Sequence, residues 1–404
     1  MNHLIQIQEK VAVIGSGIAG CLAALELARA GYEVRIFEEL DTAFGGTSAT
    51  ALQAHLGGLY SGNMDTAKEC LRSAIEIKKF IPYALNDRNA MFFVAKQSDI
   101  TLDEYVSFYT ELRDYYASLP IGDRVFGGVD DFFHVISAQD HPFIKNVEGG
   151  IMTKEPGLDM QQARYTLLAK LQGYGVGVHA STEVIAAEKR GEADFILSLR
   201  SKGNTSEYRC NQVINAGGYK CRTLDYQFGD RTSYNLSLEA KCMVRDTTPG
   251  EPMPAFYVVR GYFMHMTPVN DGSISCLNTA TTEGGYINTL TLDDTTTHIP
   301  KEWQDIMTTG IIPDAKNRQR TMIEYANDTF LVGRRLEPVA LIPGISTSFS
   351  ASRQNRTQHK VNIVIPGWQT IVPTKATHAL ELARQAVENA IAHSVNIGHR
   401  SVND

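Results

Sequence analysis

Three glycines near the start of the chain have the spacing of a dinucleotide-binding turn. Gly15, Gly17 and Gly20 follow the short apolar run 11–14, which has the composition of a strand buried on both faces of a parallel sheet. The first glycine permits a sharp turn, the second lets the backbone approach a pyrophosphate, and the third lets the next helix pack closely on the strand. Unpaired N–H groups at the start of that helix would meet the phosphate charge.

An acidic residue stands where the ribose of such a dinucleotide would lie. The predicted strand 34–37 delivers Glu38 about 20 residues after the glycines, where a carboxylate can accept hydrogen bonds from ribose hydroxyls. A purely structural glycine turn would leave Glu38 unexplained, and its charge argues against a 2′-phosphate. The residues that we expect to contact the dinucleotide here are Gly15, Gly17, Ile18, Ala19, Gly20, Glu38 and Glu39.

Two segments rich in small residues follow the second strand. Gly46, Thr47 and Ser48 suit a second approach to the pyrophosphate, although a plain surface turn would have the same composition. The segment 48–62 contains His55 and has too much glycine for a core strand and too many small residues for an ordinary helix. Chain of this kind typically lies against a flat ligand.

Composition excludes several other classes of function. The chain has 404 residues and a formal net charge of −7, and its lysines and arginines are scattered, so we expect no nucleic-acid partner. The six cysteines include no C-x-x-C pair, so we expect reduced thiols and no metal. No apolar run approaches the ~20 residues of a membrane span, and no signal peptide precedes the first strand, so we expect a cytoplasmic protein without a membrane span.

The opening motifs resemble the D-amino-acid oxidase superfamily of FAD enzymes. The glycine fingerprint, the Gly-Gly-Thr-Ser run at 45–48 and the H-x-G-x-x-Y pattern from His55 to Tyr60 are similar to that family's first flavin segment. Later segments agree with it: Val184 matches a valine whose backbone contacts adenine. The resemblance also extends to Ala216 and Gly217 in a strand and turn that return to the cofactor, and to a last glycine turn beneath the flavin formed by Gly367, Trp368, Gln369 and Thr370.

The resemblance implies an α/β fold, α+β overall, with two interleaved parts. A Rossmann-like FAD-binding domain would comprise 1–80, 150–220 and 325–404, and a substrate domain built on a mostly antiparallel sheet would comprise 81–149 and 221–324. Two local signals lie in the second part. Thr101 to Glu104 is a capping box that predicts a helix to about Leu119, and 268–272 predicts a hairpin between β-rich runs. A final helix is predicted to begin near Pro373.

Two details resemble the L-2-hydroxyglutarate dehydrogenase branch of the superfamily: 55–60 and 259–263. In the superfamily an arginine after a glycine binds the substrate carboxylate, and Arg335 is the nearest match, with Arg353 as a second candidate. A guanidinium fork suits a carboxylate, although a surface ion pair is the bland alternative for both. Tyr262 and His265 lie on a strand where alternate residues would face the cavity.

His55 and His265 are candidates for the base, because histidine titrates near neutral pH. Three roles are open for His55. Its surroundings resemble dimethylglycine dehydrogenase, where a histidine is bonded to the flavin, but a tryptophan of that pattern is replaced by Ala54. The other two roles are lining the cavity and simple packing.

The leading prediction is an FAD-dependent oxidoreductase that takes a hydride from the α-carbon of a small 2-hydroxy acid or amino acid. The first alternative is an aromatic hydroxylase or halogenase, a class that usually has G-A-D-G where this chain has Asn-Ala-Gly-Gly at 215–218. The second is a flavin-holding subunit that acts with a partner. A reductase that uses NADH is disfavoured, because no second intact glycine fingerprint follows residue 20.

Overall fold

The computed structural model describes residues 9–46, 52–250, 252–260, 263–269, 272–279, 285–293, 298–348 and 360–401. Its helices are α1 Ile18–Arg29, α2 Met64–Phe80, α3 Leu102–Ser118, α4 Met160–Gly173, α5 Cys221–Asp225, α6 Lys301–Thr309, α7 Ala315–Thr329 and α8 Ala379–Ser401. Its strands are β1 Lys10–Ile14, β2 Glu33–Phe37, β3 Ala90–Ala95, β4 Phe133–Ser137, β5 Val147–Thr153, β6 Val178–His179, β7 Thr182–Gly191, β8 Asp194–Ser201, β9 Asn204–Cys210, β10 Gln212–Asn215, β11 Tyr234–Asp246, β12 Ala255–Val259, β13 Met264–Val269, β14 Ile274–Thr279, β15 Tyr286–Leu292, β16 Leu336–Ser348, β17 Lys360–Ile365 and β18 Trp368–Val372.

The first sheet has the order β17-β18-β10-β1-β2-β6. All its pairings are parallel except the one between β17 and β18, so the carboxyl ends of β1, β10 and β18 meet at one edge. The predicted strands 11–14 and 34–37 are present as β1 and β2. Between them, α1 buries its apolar residues against α8 and α4, as the run of alanines and leucines in its sequence requires.

Gly15 and Gly20 show why this turn tolerates no side chain. A Cβ atom on Gly15 would lie 2.6 Å from the carbonyl oxygen of Ala216, and Gly15 also has a φ of +91°. A Cβ atom on Gly20 would lie 1.9 Å from the carbonyl oxygen of Gly15. The turn therefore brings backbone against backbone at the edge where β1 and β10 end.

A second, mostly antiparallel sheet has the order β15-β11-β14-β13-β12-β3-β5-β4, with β16 paired to β11. The predicted hairpin is present, because Val269 of β13 lies opposite Ile274 of β14. The predicted capping box is also present at the start of α3: Thr101 N donates to Glu104 Oε2 at 2.7 Å, and Glu104 N donates to Thr101 Oγ1 at 3.2 Å. A third, smaller sheet contains β7, β8 and β9.

The sequence prediction differs from the structure in two places near the carboxyl end. Strand β16 lies within the segment 325–404 that was assigned to the FAD-binding domain, yet it pairs with β11 of the second sheet through twelve residue pairs. Pro338 and Pro343 lower its strand propensity, and β16 tolerates them because it pairs on one side with β11. The last helix begins at Ala379 rather than near Pro373, after a 3₁₀ turn at 376–378.

Three further findings bear on the composition arguments. None of the helices in the described ranges is long and apolar enough to cross a membrane. The six cysteines are all buried as thiols. Within those same ranges, no three His, Cys, Asp or Glu side chains come together in a way that could hold a metal ion.

Candidate active site

One cavity of about 730 Å³ begins at the carboxyl edge of the first sheet and continues to the second sheet. Its near end is lined by most of the residues predicted to contact the dinucleotide, and they come from five separate segments of the chain. They are Gly15, Gly17, Ile18, Ala19, Glu38, Glu39, Gly46, Val184, Ala216 and Gly217. Gly20 instead packs behind the turn. Thr47 and Ser48 lie outside the described residues.

The carboxylate of Glu38 is held in one orientation at this end of the cavity. Its Oε2 atom accepts hydrogen bonds from Ser16 N at 2.7 Å and Ser16 Oγ at 2.8 Å, and its Oε1 atom accepts one from Leu40 N at 3.0 Å. Glu39, the next residue, pairs with Lys220 at 2.6 Å. The serine between the first two glycines therefore has a role that the fingerprint alone does not indicate.

The predicted last glycine turn does not reach the cavity. Gly367 has a φ of +84° in the hairpin between β17 and β18, at the amino end of β18. Because β18 runs parallel to β10, that end lies at the edge of the sheet opposite Ala216. The side chains of Trp368, Gln369 and Thr370 are buried within the protein. The segment 372–376, at the other end of β18, lines the cavity in their place.

Trp368 and Thr370 instead hold a buried carboxylate behind the cavity. Trp368 Nε1 and Thr370 Oγ1 donate to Asp225 at 2.8 and 2.7 Å. Asn215 Nδ2 donates to the same carboxylate at 2.8 Å, and Asn215 Oδ1 accepts from Gly217 N at 3.2 Å. Burial raises the pKa of Asp225 to about 6. The network therefore supports the turn at Gly217 through the hydrogen bond from Gly217 N to Asn215 Oδ1.

The far end of the cavity is lined by polar and charged side chains of strands β11 and β16 and of the loops beside them. They include Gln53, His55, Glu239, Lys241, Ser346 and Lys375. Ser346 Oγ donates to Glu239 Oε1 at 2.9 Å. The Lys375 ammonium lies 4.5 Å from the centre of the Tyr60 ring, and burial lowers the pKa of Lys375 to about 7.

His55 forms a hydrogen bond with Glu155, a glutamate one hundred residues further along the chain. Its Nδ1 atom lies 2.8 Å from Glu155 Oε1, while Glu155 Oε2 accepts a hydrogen bond from Leu56 N at 2.9 Å. The His55 ring meets the rings of Tyr60 and Tyr257 edge to face, with 6.3 Å between centroids in both cases. Burial raises the pKa of Glu155 to about 8.

His265 is buried next to this group but does not line the cavity. It stacks on Tyr257 with 5.5 Å between ring centroids, and its Nδ1 atom lies 3.5 Å from Gln53 Nε2. Burial lowers the pKa of His265 to about 3, so the ring is neutral and only weakly basic. Those properties favour packing over proton transfer.

The structure does not bring Arg335 to the cavity. Arg335 is exposed just before β16 begins, whereas the cavity is lined by 344–347 on the same strand. Residues nine apart on a strand are separated by about 30 Å, so Arg335 cannot contact a ligand there. Its predicted carboxylate contact has no support in this geometry, because the glycine motif stands at the opposite end of the strand from the cavity. Tyr262 and Arg353 lie outside the described residues.

Sequence reasoning missed Glu155, Lys241 and Lys375 as residues of the site. For the two lysines the available signal was their position relative to the strands rather than their residue type. Lys375 stands three residues after a buried strand that runs parallel to β10, and Lys241 stands on a strand whose alternate residues are apolar. Residues at the carboxyl ends of parallel strands are placed at the ligand edge.

Comparison with known families agrees with this geometry. A family model described as FAD dependent oxidoreductase (DAO) matches residues 10–309. The chain belongs to the DAO family. It is therefore an FAD-dependent enzyme of the oxidase and dehydrogenase type. The glycine turn closed to any Cβ atom and the fixed Glu38 carboxylate fit a dinucleotide.

Solved structures of the DAO fold cover nearly the whole chain. A variant of NikD, described as an unusual amino acid oxidase essential for nikkomycin biosynthesis, has a TM-score of 0.69 at 16% identity and covers 95% of this chain and 94% of its own. L-α-glycerophosphate oxidase from Mycoplasma pneumoniae gives 0.66 at 14% identity, with 95% and 94% covered. Glycine oxidase from Geobacillus kaustophilus gives 0.61 at 14% identity, again with 95% and 94% covered. At these identities the likeness establishes the fold.

Among curated proteins, the FAD-dependent monooxygenase KojA from Aspergillus flavus is 23% identical over 270 residues. The match takes in 65% of this chain and 59% of that relative's length. A probable KojA from Aspergillus oryzae matches over the same extent. The chain thus aligns with little more than half of the curated relatives.

Proposed function

We propose that the protein removes a hydride from the α-carbon of a small 2-hydroxy acid or amino acid. The observation that carries the proposal is the single cavity in which the dinucleotide end opens directly onto two lysines and a histidine–glutamate pair. Bound FAD would supply the two-electron acceptor. The protein would hold the acid, orient its C–H bond and accept a proton.

Lys241 and Lys375 are the proposed partners of the substrate carboxylate. Both line the cavity away from the dinucleotide end, and they take the role that the sequence had suggested for Arg335. A carboxylate beside Lys375 would favour the charged ammonium, which burial alone disfavours. The pair would thus bind the substrate as an ion rather than as a neutral acid.

His55 is the proposed proton acceptor. It lines the cavity, whereas His265 does not, and its Nδ1 atom is already bonded to Glu155. The L-2-hydroxyglutarate dehydrogenase branch remains a proposal that rests on the resemblance at 55–60 and 259–263.

The decisive experiment is anaerobic titration of the purified protein with 2-hydroxy acids, amino acids and N-methyl amino acids. We expect one class to bleach the absorbance of the oxidised flavin. If no acid bleaches it and a cell extract restores bleaching, the protein is instead a flavin-holding subunit that needs a partner.

A monooxygenase is the second candidate, because both curated relatives carry that name. The Asn-Ala-Gly-Gly run at 215–218 argues against it, since the hydroxylase pattern there is G-A-D-G. The two candidates differ in their reductant. Bleaching by NADH or NADPH without a substrate acid would favour the monooxygenase.

Acid precipitation tests whether His55 is bonded to the flavin. We expect a colourless pellet and a yellow supernatant, because the resemblance behind a covalent bond lacks its tryptophan at Ala54. A yellow pellet that turns colourless in a His55→Ala variant would establish the bond.

A further inference from the structure

Glu155 occupies a position that packing alone does not explain. It is only 2% exposed, it lies just before α4, and both its oxygens are used: one toward the His55 ring, the other toward the backbone of the next residue, Leu56. A buried carboxylate without a strong partner is costly. This one is placed so that it fixes both the position of the 55–56 backbone and the orientation of the ring.

The tyrosines around Glu155 and His55 do not compete for the proton that lies between those two side chains. Tyr105 and Tyr109 of α3 and Tyr257 of β12 face Glu155, and burial raises the pKa of each phenol well above 10, so all three are neutral. The Lys375 ammonium lies over the ring of Tyr60, and the His55 ring meets the same tyrosine edge to face. The proton that burial favours on Glu155 therefore lies in the hydrogen bond between Glu155 and His55, where the two groups can share it.

We propose that Glu155 is a positioning residue that keeps a proton on Nδ1 of His55 and so leaves Nε2 as the base facing the cavity, and that the substrate is a 2-hydroxy acid rather than an amine. The proposal rests on the proposed function. Leu56 N can only donate and so fixes one carboxylate oxygen as an acceptor. Once the pair has lost its shared proton, Glu155 is an anion that accepts from His55 Nδ1–H, and Nε2 carries a lone pair.

The proton and electron balance explains why a hydroxyl is favoured. The O–H proton of the substrate would pass to Nε2, the O–H bonding electrons would form the new C=O bond, and the α-hydrogen would leave as a hydride, for which FAD, when bound, would supply the two-electron acceptor. The product is a 2-oxo acid. An alcohol is far too weak an acid to lose its proton to water at neutral pH, so it requires a built base, whereas an amine can arrive already neutral.

Glu155→Gln tests the positioning role without removing a hydrogen bond. Leu56 N still requires an acceptor, so the amide oxygen must face Leu56 and the amide NH₂ must donate to His55 Nδ1. The proton of the ring is then forced onto Nε2, the wrong tautomer for a base. A forced wrong tautomer costs about 10⁴-fold in the serine protease triad, a different system.

Two measurements separate this proposal from the proposed function. ¹⁵N NMR of histidine-labelled protein, with the His55 signal assigned by its loss in His55→Ala, should report Nδ1–H above pH 8 in the wild type and Nε2–H in Glu155→Gln. Stopped-flow flavin reduction should rise with pH through about 8 in the wild type and fall about 10²–10⁴-fold in Glu155→Gln, the contribution of a general base. Flavin content should be unchanged.

Glu111→Gln is the matched control, because Glu111 is exposed and pairs with Lys68 at the surface. It should change neither readout. An unchanged His55 tautomer in Glu155→Gln would overturn the positioning role. A changed tautomer with an unchanged reduction rate would support the positioning role and remove His55 from the proposed reaction. Faster reduction by an amino acid than by the 2-hydroxy acid with the same side chain would overturn the hydroxyl preference.

Discussion

The two ends of the cavity are built from different kinds of atoms, backbone at one end and side chains at the other. At the dinucleotide end, backbone atoms of the turns at Gly15 and Ala216 touch, and there is no room for a side chain. At the proposed substrate end, the side chains of His55, Lys241 and Lys375 line the cavity and Glu155 pairs with His55, although these residues are far apart in the sequence. We therefore expect the first end to discriminate between ligands by shape and the second by charge. Substitutions should therefore abolish binding at the first end and change specificity at the second.

The strongest test of the first end is Gly20→Val. Its side chain would start 1.9 Å from the carbonyl oxygen of Gly15, so the turn must open and the protein should be purified without flavin. Absorbance at the flavin bands measures the occupancy. Gly173→Ala is the control, because a Cβ atom there meets nothing within 4 Å, and it should retain full flavin. Normal flavin content in Gly20→Val would contradict the geometry of the turn.

At the second end, Lys375→Met should weaken substrate binding while the flavin remains bound. Loss of one partner of a buried charge pair costs about 2–5 kcal/mol, so the KM should rise at least about 30-fold. Because the ammonium loses its charge as pH rises through about 7, the wild-type KM should rise above that pH and the variant's KM should not. Steady-state kinetics between pH 6 and pH 8.5 measures both effects.

Arg335→Met is the matched control for this prediction. Arg335 is exposed and lies about 30 Å from the cavity-lining part of β16, so its loss should leave the KM within about twofold. A large rise in the KM of this variant would show that the arginine reaches the substrate.

A substitution of Asp225 tests the buried hydrogen-bond network behind the dinucleotide end of the cavity. Its pKa is raised from 3.8 to about 6 in the folded protein, so its contribution to stability is present below pH 4 and is lost as pH rises through 6. Asp225→Asn should therefore gain stability relative to the wild type between pH 4.5 and pH 7, by about 2 kcal/mol. Urea unfolding at the two pH values measures the difference. A constant difference would mean that Asp225 titrates normally.

The smallest expected effect is that of Glu38→Ala on FAD affinity. Hydrogen bonds to a charged group are worth about 1.5–3 kcal/mol, and Glu38 is already oriented by Ser16 and Leu40. Equilibrium dialysis of the flavin should show a dissociation constant at least about tenfold higher. Glu33→Ala, on the exposed face of the same strand, should have no effect.

The same contrast explains which parts of the site could be predicted from the sequence. Gly15 to Glu38 is a contiguous unit, and each residue is required by local geometry, so its order and type predict its place. The sequence analysis assigned the carboxylate contact to Arg335 from a short glycine motif. The part of β16 that lines the cavity begins nine residues later, at Gly344. Lys375 and Glu155 could not be predicted, because their role depends on which strand ends and loops meet in space.

The hydrogen-bond network behind the turn at Gly217 has a consequence for folding during synthesis. Asn215 and Asp225 leave the ribosome long before Trp368 and Thr370, the strand residues that complete their hydrogen-bond network. Strand β10 also has one open edge until β18 pairs with it. A nascent chain that ends before residue 368 thus lacks both the complete network and the segment 372–376 that lines the cavity. We therefore expect the flavin to be retained only after β18 has formed, and an early stop codon to give a colourless fragment with an unpaired strand edge, a surface that promotes aggregation.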